Sequence, residues 1–237
     1  MNSFDLQIIQ YVNGYARHWR YFDEWLRCIE LNDIFKGGMI VPLLWWIWFR
    51  KKEDRETKEY ILSTIMMSLA ALLIARLLAA ALPFRLRPIH NAAIHFIMPY
   101  GVRQETLEGW SSFPSDHAVF FFALATGITF VSRRLGCFAL LYTFLIICLT
   151  RIYLGFHNPT DIMAGALLGI GAGGVVYFRK IRKVLTRRAL EWEKKKPEAF
   201  YVCFLLISIQ MVILFSNIRD LGHHFFSFFR EIGRPLL

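Results

Sequence analysis

Three short segments gather side chains suited to anion chemistry: Arg76 with Arg85-Leu86-Arg87-Pro88, then Phe113-Pro114-Ser115-Asp116-His117, then Thr150-Arg151 followed by His157-Asn158-Pro159-Thr160-Asp161. In the third, Pro159 suits the first position of a helix and Asn158 its N-cap. His157 then stands just before a helix start, and Asp161 lies in the first turn, within reach of an imidazole N–H. A carboxylate so placed fixes the tautomer of a catalytic histidine. The second segment repeats the device, with Ser115 as N-cap and Asp116 and His117 in a first turn beside free backbone N–H groups. Two helix N-termini, each bearing a histidine, direct donors and positive dipole ends at one anion. Arg151 and Arg87 add charge and forked donors matched to phosphate oxygens. Arg87 precedes a proline, which holds its backbone extended and outside the preceding helix.

The elements that must carry these segments are transmembrane helices. Of 237 residues, 56% are hydrophobic and only 19% charged, and the mean hydropathy is +0.39; soluble domains carry about 25% charged residues. Tyr60–Leu82 is 23 residues with one charge, Arg76, enough to cross a bilayer core of ~30 Å. Apolar runs at Ile34–Phe49, Tyr60–Leu82, Ala118–Val131, Leu135–Leu149, Ile162–Phe178 and Ala199–Phe215 give six candidate spans. The expected fold is an all-α, six-span transmembrane helical bundle with interfacial amphipathic helices. It forms a single domain over residues 1–237: an N-terminal interfacial segment at 1–33, a core at 34–217 and a C-terminal interfacial tail at 218–237. Several runs are short, so their polar ends should dip below the membrane surface, where they must line a protein-walled cavity. Arginine, histidine and aspartate at that depth are functional candidates by default.

Charge sets the expected orientation. Loops 50–59, 132–134 and 179–198 carry 16 Lys and Arg, and the opposite connections 83–117 and 150–161 carry 4, so the first set is cytoplasmic and all three polar segments face outward. The net charge of +10 lies in blocks between apolar runs, which argues against a nucleic-acid partner. The 179–198 block reads as a solvated basic loop against anionic headgroups. Phe4–Leu31 mixes Trp19, Phe22 and Trp25 with Arg17, Arg20, Asp23 and Glu24, as suits one interfacial amphipathic helix. Met1–Tyr21 is too polar for a signal peptide. Cys28, Cys137, Cys148 and Cys203 form no CxxC pair, and neither a disulfide framework nor a metal knuckle is expected. His18, His90, His95, His223 and His224 have no comparable polar context.

The three segments resemble the motifs of the type 2 phosphatidic acid phosphatase superfamily, which includes bacterial lipid and polyprenyl diphosphate phosphatases. Its third motif, Ser-Arg-x5-His-x3-Asp, is matched by Thr150-Arg151, His157 and Asp161. Its second, Pro-Ser-Gly-His, is matched by Pro114-Ser115-Asp116-His117, with aspartate for glycine. Its first, Lys-x6-Arg-Pro, keeps Arg87-Pro88 but has Ala80 at the lysine position. Arg76, one helical turn earlier on the same face, and Arg85 are the two candidates to replace that cation. The resemblance implies His157 as nucleophile forming a phosphohistidine, Asp161 orienting it, and His117 as general acid. It implies Arg87, Arg151, Ser115 and the backbone N–H groups around Asp116 as holders of the phosphoryl oxygens, with Arg76 or Arg85 beside them.

The expected protein is therefore a metal-independent lipid phosphatase without cofactor, in the cytoplasmic membrane, with an extracytoplasmic active site. Its partners are the lipid bilayer and a membrane lipid phosphate or diphosphate, with a polyprenyl diphosphate leading. A phosphoryl transferase with the same site and a non-enzymatic lipid-phosphate transporter are the alternatives. A metal hydrolase built on His117, His157 and Asp161 is disfavoured by the arginines beside them.

Overall fold

The computed structural model describes residues 2–50 and 54–214, and every regular element among them is helical. Helices α1 (Ser3–Asn13) and α2 (Arg20–Leu31) precede α3 (Asp33–Arg50), α4 (Arg55–Ala81) and α5 (Asp116–Val131). Next, α6 (Arg133–Tyr142) runs through a wider i→i+5 turn, Thr143–Cys148, into α7 (Leu149–Tyr153). The last elements among the described residues are α8 (Pro159–Val175), α9 (Arg179–Lys195) and α10 (Pro197–Val212). Each of the six apolar runs thus falls mainly on helix among the described residues. By length and composition, two helical stretches among the described residues suffice to cross a bilayer, α4 and Arg133–Tyr153. A third is added if α8 and α9, bent by 79°, count as one. Helices α5 and α10 have 16 residues each and reach only ~24 Å at 1.5 Å per residue. The expected tail at 218–237, with His223 and His224, lies outside the described residues.

Two expectations need correction. The single interfacial helix over Phe4–Leu31 is two helices, broken at residues 14–19. Arg17 adopts a left-handed φ of 64° there, held by its N–H on Asp23 (3.0 Å) and its Nε on the Met98 carbonyl (2.8 Å); specific partners offset the cost of that conformation. The basic block at 179–198 is largely helix α9 rather than a solvated loop. Arg182 is only 1% exposed: it bonds Glu56 at 2.8 Å and lies 3.7 Å from the Tyr60 ring centroid. A guanidinium so placed satisfies its charge by ion pairing and cation–π contact instead of by water.

Helix α5 lies at the centre. Every residue from Ala118 to Ala125 is buried, as befits a helix apolar on all sides. Against it packs α8, through a stripe of Gly165, Gly169 and Gly173. A Cβ on Gly169 would stand 2.4 Å from the Val119 carbonyl oxygen, and one on Gly173 2.7 Å from that of Ala123. Small residues four apart let two backbones meet, the usual device for joining helices in lipid. On the other side, α4 brings Thr64 against Gly127, while α3 and α10 are tied by Trp45 to Ser208 (2.9 Å) and Trp48 to Tyr201 (3.1 Å). Leu73, Leu77, Leu167, Ile170 and Leu206 are exposed, an apolar surface fitted to lipid.

The α5–α8 contact matters because it sets the N-termini of the two helices side by side. Gly169→Val should therefore destabilise the fold by ~1–3 kcal/mol, the usual cost of overpacking a closed contact. Gly171, whose Cβ would meet nothing within 4 Å, should accept alanine without loss. Thermal unfolding of both variants in detergent checks the contrast.

Candidate functional site

The two helix starts form as their cap residues dictate. Ser115 caps α5, its hydroxyl accepting from the Ala118 N–H at 3.5 Å. Asn158 caps α8 with Pro159 at the first position, and Asp161 completes a capping box. The starts are joined directly, since the Ser115 N–H donates to the Asp161 carbonyl at 3.3 Å. Gly155, at φ 74°, makes the left-handed turn between α7 and His157; the Phe96 ring would lie 2.6 Å from any Cβ there, so only glycine fits.

His157 is 4% exposed. Its Nδ1 donates to the Ser112 carbonyl at 2.8 Å; a carbonyl only accepts, so the proton sits on Nδ1 and Nε2 keeps its lone pair. That lone pair faces the Arg87 guanidinium at 3.5 Å. Sequence spacing assigns the orienting task to Asp161, but its Oδ2 lies 3.9 Å from Nδ1, beyond hydrogen-bond distance. Asp161 instead accepts from the Asn158 backbone N–H (2.7 Å) and side chain (3.0 Å). It therefore holds the turn that carries the histidine, and the ring itself is held by Ser112. Burial, then the charges of Arg87 and Arg151, push the His157 pKa well below its ordinary 6.5.

That shift has two pH consequences. The lone pair on Nε2 survives on the acid side of 6.5, so any acid limb of kcat/KM owed to His157 should fall below that value. Stability moves oppositely: below 6.5 the unfolded chain takes up the proton first, so the contribution of this group declines as pH falls towards the folded-state pKa. A pH–rate profile beside a pH series of melting curves checks both.

Arg87 donates to three backbone carbonyls, those of Trp110 (3.2 Å), Ser111 (3.2 Å) and Phe156, and is 6% exposed. Burial and the nearby Arg151 lower its pKa to about 10, so it stays cationic at neutral pH. Arg151, 5% exposed, donates from one terminal nitrogen to Glu30 (2.6 Å) and to His117 Nε2 (2.9 Å). Its Nε is buried with no hydrogen-bond partner among the described residues. A buried donor left unmade costs about 1–3 kcal/mol, a deficit that an anion oxygen placed there would remove.

The two candidate replacements for the motif lysine, absent at Ala80, are both engaged. Arg76 pairs with Asp116 at 3.3 Å and donates to the Leu214 carbonyl at 3.2 Å, so one candidate replacement for the motif lysine is tied to the aspartate that stands at the motif glycine. Arg85 lies between two fully buried carboxylates, Asp5 and Asp161, at 2.6 Å from each, and bonds Thr160 at 2.8 Å. Arg85→Ala should cost ~3–5 kcal/mol, because it strands two buried charges. Arg76→Ala, in a pair about a third exposed on both sides, should cost at most ~1 kcal/mol. Chemical denaturation of the two purified variants measures the difference.

Sequence reasoning missed Ser112, Asp5, Asp23 and Glu30. Asp5 accepts from the Thr160 N–H at 2.9 Å in the first turn of α8, Asp23 takes the Tyr153 hydroxyl, and Glu30 takes Arg151. The available signal was four acidic residues, Asp5, Asp23, Glu24 and Glu30, in a segment otherwise suited to an interface. Among the described residues, no cluster of three or more His, Cys, Asp or Glu side chains could hold a metal ion.

Buried arginines beside two histidine-bearing helix starts, in a fold whose described residues are helical and apolar, make a candidate anion-handling site. The PAP2 superfamily profile matches residues 61–185, more than half of the chain and all three motif segments, and the chain belongs to that superfamily. It is 23% identical to undecaprenyl-diphosphatase BcrC of Bacillus subtilis over 173 residues, covering 73% of this chain and 82% of that protein. Over 81 residues, 33% of this chain and 35% of the relative, it is 40% identical to the lipid A 4'-phosphatase of Bacteroides thetaiotaomicron. The crystal structure of Aquifex aeolicus LpxE is similar, with a TM-score of 0.50 and 26% identity, over 74% of this chain and 95% of that one.

Proposed function

We propose that this chain is a six-span, single-domain lipid phosphatase of the cytoplasmic membrane. It hydrolyses a lipid diphosphate at the extracytoplasmic face through a phosphohistidine on His157, without a metal or other cofactor. A polyprenyl diphosphate is the leading substrate, in keeping with the name of the Bacillus subtilis relative. The observation that carries the reading is the state of His157: its Nδ1 proton is committed to the Ser112 carbonyl, which leaves the Nε2 lone pair beside Arg87 as the nucleophile.

In the first step Nε2 attacks the terminal phosphorus and the bond from phosphorus to the bridging oxygen breaks. His117 gives a proton to that oxygen, and the lipid monophosphate leaves. In the second step water attacks the phosphohistidine, His117 takes a proton from the water, the P–N bond breaks, and inorganic phosphate departs. A loose phosphoryl-transfer transition state needs mainly positioning and charge neutralisation. Arg87, Arg151, Ser115 and the N–H groups around Asp116 supply both. Asp161 and Arg85 hold the turn before α8, and Arg76 balances Asp116 at the rim.

The test is phosphate release by the purified protein in detergent, with polyprenyl diphosphate, phosphatidate and phosphatidylglycerol phosphate, each with and without excess chelator. Release from the polyprenyl diphosphate, unchanged by chelator and inhibited by vanadate, is expected. Loss in chelator with recovery on adding a divalent cation would overturn the metal-free mechanism. Transfer to an acceptor other than water would make the protein a transferase, and no turnover of any lipid would remove the phosphatase reading.

A further inference from the structure

Glu30 lies in α2, outside residues 61–185 matched by the family, yet its carboxylate accepts from Arg151 at 2.6 Å. Both side chains are nearly buried, at 11% and 5% exposure. The same Arg151 nitrogen donates to His117 Nε2. An arginine only donates, so Nε2 carries a lone pair in this state and His117 holds no acidic proton there. For His117 to act as acid from Nε2, that contact must break, because two donors cannot face each other.

We propose that Glu30 is the positioning carboxylate on which Arg151 turns from His117 to the phosphoryl group, an inference that rests on the phosphatase reading above. Phosphoryl oxygens satisfy the partnerless Nε of Arg151. The guanidinium shifts towards the anion while Glu30 keeps its grip on the terminal nitrogen, and His117 Nε2 is released to take from solvent the proton it then gives to the bridging oxygen. Glu30 also offsets one positive charge in a site that holds Arg87 and Arg151, so the product anion is bound less tightly and leaves.

This makes a pattern that simple packing does not. Glu30→Gln retains an acceptor oxygen and removes the charge, so the Ki for inorganic phosphate and the KM should each fall about tenfold, the effect of one charge at short range in a partly buried site. Glu30→Ala removes the grip as well, so kcat should fall ~10–100-fold, as expected for a misplaced catalytic group, without a rise in KM, and glutamine should recover most of that loss. The experiment is steady-state kinetics on polyprenyl diphosphate, with inhibition by inorganic phosphate, for the full-length wild type and both variants. Calorimetric titration with inorganic phosphate accompanies it.

A wild-type Ki and kcat in a folded Glu30→Ala would overturn the proposal, as would equal losses of kcat in both variants at an unchanged Ki. If Glu30→Ala does not fold, Glu30→Gln decides alone, and an unaltered phosphate affinity refutes the role. No lipid turnover by the wild type would remove the phosphatase reading and this role together, whereas lipid turnover with an unaltered Ki and kcat in both variants refutes the role and leaves the phosphatase reading standing.

Discussion

Replacing His157 by alanine should reduce phosphate release from every lipid substrate by roughly 10⁴-fold or more, the scale seen when a covalent nucleophile is removed. The expectation follows from a protonation state fixed by a backbone atom. The Ser112 carbonyl holds the Nδ1 proton, burial and two arginines keep the ring neutral, and the remaining lone pair meets Arg87. No neighbouring group has the same combination, since His117 Nε2 is covered by Arg151 and Asp161 is taken up by Asn158 and Arg85. The variant leaves the Ser112 carbonyl without this partner, at a cost of about 1–3 kcal/mol, which a folded membrane protein survives. Phosphate release by variant protein with an intact melting transition is the measurement. Activity within tenfold of the wild type would assign the nucleophile elsewhere.

His117→Ala should lose about 10²–10⁴-fold on the lipid substrate, the usual share of a general acid, but only where the leaving group needs a proton. An aryl phosphate whose phenolate departs unaided should recover part of that loss in this variant, as a burst of phenolate while the adduct forms, and none of it in His157→Ala. The asymmetry follows from where the two rings sit. His157 lies in the turn before α8, whereas His117 lies in the first turn of α5, and each contacts a different arginine. Side-by-side kinetics on the lipid diphosphate and the aryl phosphate decide the assignment. Recovery confined to His157→Ala would exchange the two roles.

Local chemistry made the helix starts legible. Ser115, Asn158 and Pro159 act within their own first turns, so adjacent residues in the sequence suffice to locate them. The apolar runs located the helices for the same reason, since each needs only its own composition. Contacts across long separations were beyond that reach. Ser112 meets His157 across 45 positions, Glu30 meets Arg151 across 121, and Asp5 meets Thr160 across 155. An acidic side chain in an amphipathic helix reads as solvated whether it faces water or a buried guanidinium, which is why Asp5, Asp23 and Glu30 looked interfacial. The buried Arg182 was hidden likewise, as one cation in a basic block whose partner, Glu56, lies on another helix. Gly165, Gly169 and Gly173 went unread although their spacing of four is a mark of helices in close contact.

The central claim is a covalent phosphohistidine on His157, and rapid acid-free quenching of the enzyme with terminally labelled lipid diphosphate tests it most directly. Peptide mapping of the quenched protein should locate an acid-labile, base-stable label on His157. Label on another residue, or full turnover of the wild type with no covalent label at any quench time, would contradict the account.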